Sequence, residues 1–170
     1  FKGTAVSSGP VQDEWFKPHP DFVVQETHFK VVTVIKGNNP GEAIRFHHYD
    51  ESPSPKGRMF QPQFYRFQPG RTYVVFARKT ETAGVFRQLW ANHTGKEDQG
   101  VLLCPNSNPV TTKIVKEVLW NELTLMLKSV SVSDATYAVR QLDQMSGVLD
   151  TFGSAQDFDR NDVLAAIHRL

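Results

Sequence analysis

The feature that most constrains the fold is a strand–turn–strand pattern between residues 29 and 49. Residues 29–35 read FKVVTVI, a run dense in β-branched side chains, which suit a pleated and half-buried surface. Residues 36–41 read KGNNPG and combine the residue types of a tight turn. Residues 43–49 then return as a second strand-like run. The pattern predicts a β-hairpin.

Similar runs separated by turn signals occur through the first two thirds of the chain. We predict five strands in total, at residues 1–6, 22–35, 43–49, 71–77 and 85–91. The last two are expected to form a hairpin closed by the polar loop 80–84. Successive strands of this kind are typical of a sandwich or a small barrel.

The pattern changes after residues 105–109, which read PNSNP. Apolar residues then recur at helical spacing over 111–127, which predicts a helix. Ser133 is expected to cap a second helix that ends near Gly147, and a third helix is expected from Asp159 or Asn161. The sequence therefore predicts an α+β protein, with a barrel domain at 1–108 and a helical segment at 109–170 packed on it.

The two ends of the sequence suggest a longer natural chain. Phe1 is not a methionine and already lies in a strand-like run, which is expected after removal of a signal peptide and some mature sequence. The third predicted helix reaches Leu170 with its apolar face incomplete, so we expect the chain to continue.

Composition excludes several classes of function. The 170 residues contain 19 basic and 18 acidic side chains, for a net charge of +1. A nucleic-acid-binding domain normally has a clustered basic face and a basic balance, so nucleic acid is not expected as a partner. No apolar run approaches the ~20 residues that span a bilayer, so no membrane span is expected.

His47 and His48 are the first candidates for chemistry. Neighbouring strand residues point to opposite faces, so the two rings are not expected to hold one metal ion together. By the same alternation His48 shares a face with Ile44 and Phe46, while His47 lies on the other face with its side chain outward. Phosphate-binding glycine loops are missing from the sequence, and no cofactor or metal is expected.

Cys104 is the only cysteine of the sequence and the only candidate thiol nucleophile. It precedes a proline and has no local signature of a cysteine protease. A small hydrolase that uses Cys104 or the His47/His48 region remains an alternative hypothesis, and no catalytic residue is predicted. Asn92 begins an Asn-His-Thr pattern, which makes it a possible glycosylation acceptor.

Aromatic residues offer the best candidates for binding. Four rings lie within residues 60–67, and others flank them in the chain. Rings of this type bind ligands on one face of small barrels, but they also fill barrel interiors, and both interpretations stay open. The residues expected to contact a protein partner are Trp15, Phe16, Tyr65 and His47.

Four short motifs, taken in order, resemble the netrin-like domain of the tissue inhibitors of metalloproteinases. They are FKGTAV at 1–6, FKVVTVIKG at 29–37, PGRTYVVF at 69–76 and the Cys104-Pro105 pair. The resemblance covers about residues 1–127 and implies a five-stranded OB-type β-barrel in a secreted protein. The tail after residue 127 looks weakly like HEAT-type helical repeats.

The resemblance also implies a role for Cys104. In that family a cysteine near this position forms a disulfide with one near the mature N-terminus, so Cys104 would be half of a disulfide whose partner precedes Phe1. The inhibitors of the family chelate the protease zinc through that N-terminal cysteine. This sequence has none, so inhibition is not carried over to it and stays an alternative for a longer chain.

Together these observations predict a non-catalytic, secreted or periplasmic module that binds a protein partner. Its long loops, at 11–21 and 50–63, are the expected places of recognition, because loops on a rigid barrel commonly carry binding residues.

Overall fold

The computed structural model describes residues 1–38, 40–53, 62–89 and 100–152, with side chains described up to residue 142. The chain forms two compact units, Phe1–Val110 and Thr111–Leu170. The first unit is a sheet with its loops, and the described part of the second contains two helices, so the α+β class predicted from the sequence is confirmed.

Seven strands form one curled, mixed sheet in the described part of the first unit. They are β1 (Lys2–Pro10), β2 (Phe22–Thr33), β3 (Ala43–Glu51), β4 (Thr72–Val75), β5 (Arg78–Lys79), β6 (Val85–Arg87) and β7 (Val101–Cys104). Their order across the sheet is β5-β6-β3-β2-β1-β4-β7. The contacts are antiparallel except between β3 and β6, which run parallel.

The predicted hairpin is confirmed and lies at the centre of this sheet. Strands β2 and β3 pair antiparallel from Phe22↔Glu51 to Lys30↔Ala43. The turn between them uses Gly37 and Gly41 at φ of 91° and 103°. A side chain would strain the backbone at these angles, which explains the glycines in KGNNPG.

The predicted number of five strands is wrong, and the second predicted hairpin keeps its loop at 80–84 but has a different first strand. Residues 71–77 do not form one strand: β4 ends at Val75, and the separate strand β5 pairs with β6. Strand β4 instead lies between β1 and β7. The described sheet is a curled half-barrel rather than a closed five-stranded barrel, since β5 and β7 end the strand order without pairing to each other.

The main core covers the inner face of the sheet. Phe29, Ile44 and Phe46 are almost fully buried there, as expected from strand alternation. Three more aromatic residues complete this core: Tyr65 and Phe67 from the chain that leads into β4, and Tyr73 from β4 itself. The ring of Phe67 lies 5.0 Å from those of both Phe29 and Tyr73, in edge-to-face geometry.

A second, smaller core lies on the outer face of the same sheet. Phe22 and Tyr49 point outward from β2 and β3, and Phe64 packs beside them. The segment 11–21 covers this group, because Phe16 is buried against Tyr49 with ring centroids 4.9 Å apart. The outer face is therefore apolar and covered at one end, whereas its other end is polar.

Two helices form the described part of the second unit, α1 (Val115–Leu127) and α2 (Val132–Phe152). They pack against each other, and their apolar residues Val118, Leu123, Ala138 and Leu142 are buried. Helix α2 begins before Ser133, with the Ser131 hydroxyl 3.4 Å from the Asp134 N–H, and it continues past Gly147. The described helices number two instead of three, and the third predicted helix lies outside the described residues. Neither described helix is long and apolar enough to cross a membrane.

Candidate functional site

The segment 11–21 is held on the outer face of the sheet by several distinct contacts. Its start is fixed by a backbone hydrogen bond from Val11 to Val24. The Asp13 carboxylate accepts a bond from the Trp15 N–H, and the Asp13 carbonyl accepts one from the Phe16 N–H. Further along, the Tyr49 hydroxyl donates to the Lys17 carbonyl at 2.5 Å. We call this segment the pinned loop.

His47 lies beneath the pinned loop, between two carboxylates. Its Nδ1 is 2.6 Å from Asp13 Oδ2, and its Nε2 is 2.8 Å from Glu26 Oε2. A carboxylate can only accept hydrogen bonds, so each protonated nitrogen of the His47 ring donates to the carboxylate beside it. His47 thereby joins the pinned loop, through Asp13, to strand β2, through Glu26.

Arg87 completes this ionic cluster from strand β6. Its Nε donates to Asp13 Oδ2 at 2.7 Å, and its guanidinium lies 5.8 Å from the centre of the Trp15 ring. The Arg87 guanidinium and the Trp15 ring thus form a cation–π contact, and the indole remains partly accessible to solvent. Asp13 thus organises both His47 and Arg87.

The pKa values of both carboxylates reflect these partners. Burial raises the pKa of Asp13, but hydrogen bonds from Arg87, His47 and the Trp15 N–H bring it below its usual value of 3.8. Burial likewise raises the pKa of Glu26, and the hydrogen bonds from His47 and His28 bring it below its usual value of 4.5. Both groups stay ionised at neutral pH and hold the cluster together through charge-assisted bonds.

His48 occupies the opposite, inner face and has the opposite character. Its Nδ1 is 2.9 Å from the Tyr49 carbonyl, which can only accept, so Nδ1 carries the proton. The Thr27 hydroxyl donates to Nε2 at 2.8 Å, and the ring stacks on Phe46. Burial, followed by the charge of His47, lowers the pKa of His48 to about 4 against the effect of the Tyr49 carbonyl.

The placement of the two histidines decides what chemistry the site can perform. They lie on opposite faces, as strand alternation predicts, but His47 is not exposed: only 8% of its surface is accessible. The pinned loop covers it, which alternation along β3 could not reveal. Both of its ring nitrogens are occupied by carboxylates, so His47 has no free nitrogen with which to act as a general base.

The described residues give no support to a thiol hydrolase. Cys104 is a free, buried cysteine whose sulfur lies 3.7 Å from the Leu102 carbonyl. Reactive thiols are at least partly exposed, and this thiol is buried. Among the described residues, no group of three or more His, Cys, Asp and Glu side chains could hold a metal ion.

The four residues predicted to contact a partner have different environments. Trp15 is partly exposed on the pinned loop. Phe16 and Tyr65 are buried, at 4% and 1% exposure, in the outer and inner cores, and His47 is buried in the ionic cluster. Only Trp15 offers its side chain to a partner in this structure. Asn92, the predicted glycosylation acceptor, lies outside the described residues.

Sequence reasoning missed Asp13, Glu26 and Arg87. Glu26 lies opposite His47 in the pairing of β2 and β3, so the register of the predicted hairpin could have identified this contact. Asp13 and Arg87 are 34 and 40 positions from His47 in the chain, and no local pattern places them beside it.

Comparisons of the chain with protein-family models, curated proteins and solved structures gave no match.

Proposed function

We propose that this chain is a non-catalytic, extracytoplasmic module that binds a protein partner through the pinned loop. The observation that carries the proposal is the attachment of this loop to the sheet by an ionic cluster, a buried ring and a tyrosine hydroxyl. The short motifs that resemble netrin-like domains support the extracytoplasmic setting.

These attachments keep the pinned loop ordered before a partner binds. A loop that is already ordered loses little conformational entropy when a partner docks, so more of the contact energy contributes to affinity. Asp13, His47 and Phe16 are buried, and they have the role of fixing the loop rather than of touching a partner. The rigid sheet below serves as the scaffold.

The exposed part of the pinned loop has the composition of a recognition surface. Lys17, Pro18 and Pro20 are exposed, and Trp15 and His19 are partly exposed. Prolines keep the backbone extended at low entropic cost, and partly exposed tryptophans are frequent binding hot spots. The surface thus combines one large amphipathic ring with a stiff and accessible backbone.

Replacing Trp15 with alanine tests this proposal. We expect the affinity for a partner captured from the extracellular or periplasmic fraction of the source cells to fall by about tenfold or more, because an aromatic hot spot contributes about 2 kcal/mol. The dissociation constant would be measured by surface plasmon resonance, after circular dichroism has established that the variant is folded.

Trp120→Ala is the matched control, since it removes the same indole from helix α1 of the second unit. Its affinity for the captured partner should equal that of the unaltered protein. If Trp15→Ala bound as tightly as the unaltered protein, or if both variants lost affinity equally, the pinned loop would not be the binding surface.

A further inference from the structure

The outer face of the sheet carries a group of basic side chains beside the pinned loop. Where the small core ends, the strands present Arg45, Lys30 and His28, which are exposed, together with Arg87 and Arg78. The Arg45 and His28 side chains are 46% and 52% accessible. We call Lys30, Arg45, Arg78 and Arg87, with His28, the basic face.

Strand register places these residues on one surface. Arg45 is opposite His28, and His47 is opposite Arg87. Arg87 is in turn opposite Arg78 across the β5–β6 pair. Paired residues share a face, so adjacent strands about 4.8 Å apart bring the cations together. Like charges directly opposite each other are destabilising in a sheet, and the Asp13 carboxylate beside Arg87 offsets part of that cost in the Arg78–Arg87 pair.

The acidic groups on this part of the face are already used internally. Four basic side chains, without counting histidines, stand against two acidic ones, Asp13 and Glu26. Asp13 is bound by His47 and Arg87, and its side chain is only 3% accessible. Glu26 is bound by His47 and His28, and the Arg45 guanidinium lies 3.9 Å from its Oε2. Lys30, Arg45 and Arg78 are exposed to solvent, and although Arg45 also contacts Glu26, the three cations give this end of the sheet a positive field.

The charge of the whole chain limits what this field can attract. The net charge is only +1, so the surplus on the basic face is balanced by acidic groups elsewhere. A long uniform polyanion, such as nucleic acid or a sulfated polysaccharide, would meet repulsion outside the basic face. A short acidic segment of a protein would meet the basic face alone.

We propose that the basic face binds an acidic segment of the partner protein while the pinned loop contacts an adjoining part of it. This inference rests on the proposed function and adds the chemistry of the partner to it. The carboxylates of the segment would lie over Arg45, Lys30 and Arg78, next to the Trp15 ring that contacts Arg87. Exposed ion pairs are individually weak, so the basic face supplies steering and selectivity more than affinity.

Charge reversal with a defined probe tests the inference. The probe is a fluorescein-labelled peptide of eight glutamates, and its binding is followed by fluorescence anisotropy in low salt. We expect Arg45→Glu/Arg78→Glu to weaken binding about tenfold, because two attractive interactions become repulsive. Binding to the unaltered protein should also weaken as salt shortens the screening length to about 10 Å at 0.1 M.

Lys128→Glu/Arg140→Glu is the matched control, because it makes the same change of charge at exposed positions of the second unit. It should bind the glutamate peptide as the unaltered protein does. Equal loss in both double variants, or equal binding of an uncharged peptide of eight glutamines, would overturn the inference. Tighter binding of a heparin fragment than of the glutamate peptide would overturn the assignment to a protein segment.

The two proposals fail in different ways. If Trp15→Ala weakens capture of the partner but Arg45→Glu/Arg78→Glu changes neither that capture nor peptide binding, the pinned loop is the binding surface and the basic face is not. If the glutamate peptide binds as expected while Trp15→Ala leaves the captured partner unaffected, the pinned loop is excluded and the basic face stands.

Discussion

Replacing Asp13 with alanine is expected to lower the free energy of unfolding by about 3 kcal/mol. Asp13 accepts hydrogen bonds from His47 and Arg87, and its side chain is almost completely buried. Alanine would leave the His47 ring with one carboxylate partner instead of two and would leave Arg87 without its bond to the loop. Removing one partner of a buried ionic group costs about 3–5 kcal/mol, and the partial exposure of Arg87 places the value at the low end.

Urea unfolding measures this effect, and Glu14→Ala provides the control. Glu14 is the exposed neighbour of Asp13, so its removal changes the net charge equally, and we expect a change within about 0.5 kcal/mol. Asp13→Asn keeps the shape and removes the charge, and should be intermediate. If Asp13→Ala were as stable as Glu14→Ala, the ionic cluster would not hold the loop.

Acidification is expected to destabilise the protein through His48. The pKa of His48 is lowered from 6.5 to about 4 in the folded state, chiefly by burial. The unfolded chain therefore binds a proton at a higher pH than the folded chain does, and stability is lost as the pH falls from about 6.5 to about 4. A shift of this size corresponds to about 3 kcal/mol over the whole window, at 1.36 kcal/mol for each pH unit.

His48→Gln isolates this contribution. Glutamine is neutral at every pH of the window. Between pH 7.5 and pH 4.5 the free energy of unfolding should therefore fall by about 2–3 kcal/mol less in His48→Gln than in the unaltered protein. The carboxylates of Asp13 and Glu26 act in a lower window, because their pKa values lie below 3.8 and 4.5 and their contribution is lost as the pH falls through those lowered values. An NMR titration in which the His48 ring protonates near pH 6.5 would contradict the account.

The sequence predicted the elements whose signal is local. The β-branched run at 29–35 and the turn at 36–41 predicted the central hairpin. The register of its two strands is strongly specified, because one face of the hairpin is buried. Apolar spacing identified helix α1 through Val118 and Leu123, both of which are buried. Alternation also assigned His48 correctly to the face of Ile44 and Phe46.

The elements that were missed depend on distant pairing. Strand β5 has two residues and β7 has four, which is too short for a periodic pattern to be distinguished from a loop. The parallel contact between β3 and β6 joins segments about 40 residues apart, and nothing in either segment specifies it. The burial of His47 was missed for the same reason, since Asp13, which covers it, belongs to the segment 11–21, for which the sequence predicted only a long loop.

Hydrogen exchange at the Trp15 and Phe16 amides tests most directly whether the loop is pinned to the sheet. Both N–H groups donate to Asp13, one to its carboxylate and the other to its carbonyl. We predict slow exchange at both amides in the unaltered protein at neutral pH, and exchange faster by about a hundredfold in Asp13→Ala, which corresponds to about 2.7 kcal/mol of local stability. Exchange in the unaltered protein at the rate of an unstructured peptide would contradict the account.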